Sequence, residues 1–169
     1  KISPNLSALI IIKHVKDGLE LGRKYKLPAP ILDVISQHHG TGLTSYFYQR
    51  AKESGDKDAL SEAGFRYPGP RPNTKAAAIV MMADACEAAA RTLQSHTPQS
   101  IENLVQSIFK RALEDGQLDE SPLSLKNIND LITTFTRIIT GIYHHRIEYP
   151  DQITEQDNNS KVAPIKVKA

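Results

Sequence analysis

Cysteine is nearly missing from this chain: Cys86 is the single one among 169 residues, so no internal disulfide framework exists. That usage fits a reducing compartment. Long apolar runs are missing too. The longest, Ala8 to Ile12 and Ala76 to Ala83, fall well short of the roughly 18 residues that cross a bilayer. These residues are therefore expected to be soluble by themselves, and they carry no signal peptide. A strong excess of one charge is also missing. The formal net charge of +2 is too small to argue for nucleic acid or an anionic membrane surface as a partner. Internal repeats and short alternating β-branched segments, the marks of strands, are not found.

What is present suits a helical core. Apolar residues make up 40% of the chain and charged ones 24%, as in an ordinary soluble domain or a large piece of one. The first residue is Lys1 rather than Met, and we read the chain as part of a longer one. Ser3-Pro4 opens a helix expected to run to about Lys24, where Leu27-Pro28-Ala29-Pro30 breaks it. A second helix is expected over about Pro30–His39, stopped by Gly40, and a short third over Thr44–Glu53. The stretch from Ser54 to Pro72 reads as mostly irregular, with three prolines in its last eight residues. Asn73 or Thr74 caps a fourth helix to about Leu93, Thr97-Pro98 opens a fifth ending near Gly116, and a sixth covers about Ser124–Arg146. The expectation is an all-α bundle of about six helices over residues 1–150, incomplete at its N-terminus, with a disordered polar tail over 151–169.

Chemistry concentrates in a few side chains. Ile10, His14, Gly18 and Leu21 share one helical stripe, which places His14 toward the core side, with Asp17 beside it. The plainer alternative is a core histidine satisfied by a backbone carbonyl or by Asp17. His38 and His39 extend the apolar face of Ile31, Val34 and Ile35 at the last turn of the second helix. Two inward imidazoles are costly unless something binds them; otherwise they cap the last carbonyls as partly exposed residues. Asp84 sits inside the fourth helix, where aspartate is a poor choice; taken alone it reads as a surface residue near Glu87 and Arg91. Three imidazoles and a carboxylate from three helices form a donor set of the kind that holds zinc, iron or manganese. Arg66, Arg71 and Lys75 cluster beside the Pro-rich loop and a helix N-terminus, a sensible phosphate site, and Tyr67 could stack on a base. A solvated loop with Tyr67 packed on the domain is the alternative. His96 reads as a solvated loop residue; His144 and His145 read as capping groups of the last helix.

The ordered stretches Leu9-Ile10-Ile11-Ile12-Lys13-His14-Val15-Lys16-Asp17-Gly18, Gln37-His38-His39-Gly40-Thr41, Phe65-Arg66-Tyr67-Pro68-Gly69-Pro70 and Ala83-Asp84 carry a resemblance. Over about Ser3 to Pro150 the chain resembles the HD-domain phosphodiesterases of the seven-transmembrane receptor type, called PgpH-like. The resemblance implies a helical cytoplasmic domain of a bacterial membrane protein, anchored through segments outside this chain, with oligomerisation possible. It implies hydrolysis of cyclic di-AMP to a linear dinucleotide at a centre of two divalent metals, iron or manganese, through a hydroxide generated from bound water. His14, His38, His39 and Asp84 take the ligand roles, Arg66, Tyr67 and Lys75 the substrate side, and Asp17 a supporting place behind an imidazole. No catalytic base or acid is singled out. The departure is at the start: the family pattern opens with a histidine and an adjacent His-Asp pair, and the chain has no His-Asp dipeptide. These residues alone are thus expected to be inactive. Two other readings stay open: a non-enzymatic helical signalling module with a truncated metal site, and an HD hydrolase acting on other nucleotides.

Overall fold

The computed structural model describes residues 2–55 and 61–144. Among these, six helices account for the regular structure: α1 (Pro4–Lys24), α2 (Ala29–Gln37), α3 (Ser45–Glu53), α4 (Lys75–Ala90), α5 (Pro98–Glu114) and α6 (Leu125–His144), with a 3₁₀ turn at Glu62–Phe65. The fold is all-α, as the periodicity predicts. The expected tail over 151–169, and the last residues expected in α6, lie outside the described residues. No described helix is long and apolar enough to cross a membrane.

The helix starts are set by side-chain oxygens that satisfy otherwise orphaned backbone donors. Ser3 Oγ accepts from Leu6 N–H at 3.2 Å, Thr74 Oγ1 from Ala77 N–H at 3.1 Å, and Thr97 Oγ1 from Ser100 N–H at 3.2 Å. Ser124 and Asn127 cap reciprocally at the start of α6.

Two cores follow. The larger joins α4, α5 and α6 around Met82, Cys86, Ile101, Val105 and Phe109. The helix α4 buries residues on several sides, Ala77, Ala78, Met81, Met82, Cys86 and Ala90, as a central helix must. The smaller core gathers Ala8 of α1, Tyr48 and Ala51 of α3, and Phe65. The helix α2 bridges the two lobes by packing on both α1 and α4, which puts its C-terminal end between them.

One expectation is corrected here. The buried stripe of α1 is Ala8, Val15 and Gly22, not Ile10, His14 and Leu21; Ile10 and Leu21 are both more than half exposed. The reason is close packing by small residues. A Cβ on Gly22 would lie 2.6 Å from Leu32 Cδ2, and one on Gly18 would lie 3.2 Å from Ile35 Cγ2. Thus α2 seats against nearly bare backbone of α1, and His14 flanks this contact rather than facing a core.

Candidate metal centre and substrate cleft

His14 projects from the middle of α1, and His38 and His39 from the turn that ends α2. One ring nitrogen from each lies within 4.8 Å of the others. The ring centroids are 5.3 Å apart for His14 and His38, and 4.9 Å for His14 and His39. His14 is exposed, while His38 and His39 are half-buried.

The hydrogen bonds decide which nitrogens are available. His14 Nδ1 contacts the Ile11 carbonyl, and His38 Nδ1 contacts the Ile35 carbonyl at 2.8 Å. A carbonyl only accepts, so Nδ1 carries the hydrogen in both rings, and in the neutral form each Nε2 presents its lone pair. Those two Nε2 atoms lie 3.2 Å apart. Two lone pairs at that distance repel unless a cation or a shared proton sits between them. Imidazoles bound to one metal at about 2.0–2.1 Å have a similar nitrogen separation. Burial, with His38 and His14 adding to it, pushes His39 down from 6.5 to about 4, so it is neutral at pH 7, the form that binds metal. The donor set therefore fits a divalent cation.

Asp84 on α4 faces this group from across the cleft, its Oδ2 3.8 Å from His39 Nδ1. The carboxylate is half-exposed. Tyr67 stacks on His39 with centroids 4.2 Å apart and planes 21° from parallel. Burial, and then the charge of Asp84, raises the Tyr67 phenol from 10.0 to about 12, so it stays protonated as a donor beside the carboxylate.

The turn bearing the histidines is held from both sides. Gln37, buried directly before them, accepts through Oε1 from Asn73 N–H at 3.0 Å. Gln117, buried beyond α5, accepts from Thr41 N–H at 2.9 Å and donates to Thr41 Oγ1 at 2.9 Å. Between them Gly40 has φ 51°, and a Cβ there would lie 2.4 Å from Gln117 Oε1. Backbone bonds from Thr44 to Phe65 and from Tyr67 to Gly42, at 2.8 and 3.0 Å, dock the Tyr67 segment on the same turn.

The structure separates the other sequence-expected residues from these roles. Asp17 pairs with Lys13 at 2.6 Å in solvent; the group behind His14 is the Ile11 carbonyl. Lys75 hydrogen-bonds Asn127 at 3.1 Å and lines a separate, smaller cavity with α6 residues. Arg66 lines the main cleft, but its five N–H donors go to Asp115, Glu62 and the Thr41 carbonyl, at 2.9–3.3 Å. It acts as a clamp in the wall. His96 is not a solvated loop residue: it stacks on Tyr143 at 3.8 Å and bonds the Ala90 carbonyl. His145 lies outside the described residues. Sequence reasoning missed Gln37, Gln117 and Asp115, whose partners lie far away along the chain.

The cleft holds about 640 Å³ and is lined by His38, His39, Asp84 and Tyr67 together with Ile108 and Arg111 of α5. Its volume lies in the range of small-ligand sites.

This helical scaffold with a histidine cluster beside a cleft is that of an HD domain: the HD domain model matches residues 2–89, and the chain belongs to that family. HD domains bind divalent metals. Over 151 residues the chain is 46% identical to the cyclic-di-AMP phosphodiesterase PgpH of Bacillus subtilis (strain 168) and 40% identical to PgpH of Listeria monocytogenes. These matches cover 89% of this chain and 21% of each relative, so the chain spans about a fifth of the curated relatives' length. The crystal structure of the L. monocytogenes PgpH HD domain in complex with cyclic-di-AMP superposes with a TM-score of 0.80 at 39% identity. That match covers 88% of this chain and 68% of the other.

Proposed function

We propose that this chain is the C-terminal part of an HD phosphodiesterase domain that hydrolyses cyclic di-AMP to the linear dinucleotide. The observation that carries the reading is the pair of bare Nε2 atoms of His14 and His38, 3.2 Å apart, with neutral His39 beside them at the mouth of a cleft. Likeness to the PgpH phosphodiesterases, one of which binds cyclic-di-AMP in its crystal structure, supports the substrate class.

His14, His38 and His39 would hold one divalent cation, and Asp84 would help hold a second, with iron or manganese proposed. Such ions supply charge for the phosphate oxygens and an acidified water as nucleophile when bound. The Ile11 and Ile35 carbonyls fix which nitrogen of His14 and His38 faces the site. Tyr67 keeps His39 in its plane by stacking and offers a phenol donor toward the cleft. Arg66 shapes the wall through Asp115. The sequence has no His-Asp dipeptide, and these 169 residues alone are proposed to be inactive. In the intact protein, membrane segments outside this chain would anchor the domain at the cytoplasmic face.

The test is metal analysis and cyclic di-AMP hydrolysis on the purified intact protein and its His39→Ala variant. Loss of both metal and turnover is expected. Full turnover with unchanged metal content in the variant removes the proposal.

A further inference from the structure

The main cleft carries charged groups that the metal centre does not use. Its lining includes Arg66, Asp84, Arg111, Glu114 and Asp115. Arg66 is engaged by two carboxylates, Asp115 through two bonds of 2.9 Å and Glu62 through bonds of 2.9 and 3.3 Å. Glu114 pairs with Lys110 at 3.8 Å, and Asp84 faces His39.

Arg111 is left over. On a helix its natural partner is a carboxylate three or four residues on, and both such residues are acidic here. Asp115, at i+4, is turned away to Arg66, and Glu114, at i+3, to Lys110. Among the described residues Arg111 forms no ion pair; its guanidinium makes one long contact, Nε to the Ser107 carbonyl at 3.4 Å. The cleft is also lined by apolar side chains, Ala85, Ala88, Ala89 and Ala112 beside the larger Met81, Met82 and Ile108. Such a lining suits flat rings and offers an anion nothing. A cleft lined both by cation-binding groups and by a guanidinium that no carboxylate engages is matched to a ligand with two anionic groups.

The geometry points to Arg111 as the residue that binds the second, non-reacting phosphate of a cyclic dinucleotide while the first lies at the metal centre. This inference rests on the phosphodiesterase reading and deepens it. Arg111 selects substrates with two phosphates over simple phosphodiesters.

The experiment compares the intact, metal-loaded protein with its Arg111→Met and Arg111→Lys variants. Met keeps length and apolar packing but removes the charge. Two substrates are used: cyclic di-AMP, and bis(p-nitrophenyl) phosphate, which has one phosphate and no base. For cyclic di-AMP, Arg111→Met is expected to raise KM about tenfold or more, with a much smaller change in kcat. The loss in kcat/KM should be at least about tenfold larger for cyclic di-AMP than for the simple diester, and Arg111→Lys should recover part of it. Equal losses on both substrates, or no loss on either, overturn the assignment. If the wild-type protein hydrolyses neither substrate, the phosphodiesterase reading fails. Calorimetric titration with cyclic di-AMP then still judges Arg111: unchanged affinity in Arg111→Met rejects it, and weakened affinity upholds it.

Discussion

His14 and His38 each commit one ring nitrogen to a carbonyl three residues back on their own helix. That leaves their other nitrogens to face one another with nothing covalent to hold them apart. If they hold a divalent cation as proposed, removing either imidazole should therefore weaken its binding by more than the 10–100-fold typical of losing an outer partner. Asp17 makes the control, because its carboxylate is occupied by Lys13 in solvent. Competitive chelator titration of His14→Ala, His38→Ala and Asp17→Asn checks this. The two alanine variants should lose about a hundredfold or more, and Asp17→Asn should stay close to wild type. An Asp17→Asn loss as deep as that of His14→Ala would mean that the carbonyl does not orient the ring. Gly40 adds a second test at the same scale. Its left-handed φ of 51° and the Gln117 oxygen where a Cβ would go both oppose a side chain. Gly40→Ala should cost about 1–2 kcal/mol from backbone conformation alone, and more from the displaced buried amide. Chemical denaturation measures it, and a cost under about 0.5 kcal/mol, the scale of an ordinary surface change, would show the turn to be slack.

At the scale of elements, the approach of α2 to α1 sets where the histidines meet. Gly22 is the tightest point, with Leu32 Cδ2 occupying the place of its Cβ. Gly22→Ala gains up to about 1 kcal/mol of helix propensity but overpacks the contact, at about 1–3 kcal/mol. A net destabilisation of about 1 kcal/mol is expected from these opposing terms. The same change should cost less in a Leu32→Ala background, a coupling that a double-mutant cycle reads directly. Additive effects would place the strain elsewhere. This contact also explains what the sequence could and could not tell. Helix starts were legible because Ser3, Thr74 and Thr97 act locally on backbone three residues away. The facing of α1 was not, because a stripe containing Ile10 and Leu21 looks more apolar than Ala8, Val15 and Gly22. Close packing favours the smaller set, and residue hydrophobicity does not record it. In the candidate site, the three histidines stood out as unusual residues on apolar helix faces. The glutamines that pin their turn did not, since Gln117 and Thr41 lie 76 residues apart.

Across the whole molecule, Asp115 is a polar tie between lobes, beside the packing of α2. It sits just beyond α5 of the larger core and grips Arg66, next to the 3₁₀ turn of the smaller one, through two bonds of 2.9 Å. Gln117 Nε2 adds a third, also 2.9 Å. The hydrogen bond from Arg66, ahead of its charge, holds the Asp115 carboxyl below its ordinary value of 3.8. A folded-state value below the unfolded one means that the unfolded chain takes up the proton first as pH falls. The stabilisation is therefore present in full above about pH 4, and is lost as pH drops through the lower, folded-state value. Because the carboxylate is 36% exposed, solvent screening limits the ion pair to about 1 kcal/mol. Asp115→Asn should lower Tm at pH 7 by about 2–4 °C for each kcal/mol lost. The gap between wild type and variant should then close as melting is repeated from pH 5 down to pH 3, since protonated Asp115 resembles the amide. A gap that stays constant over that range would assign the tie to shape and hydrogen bonding rather than to the charge on Asp115.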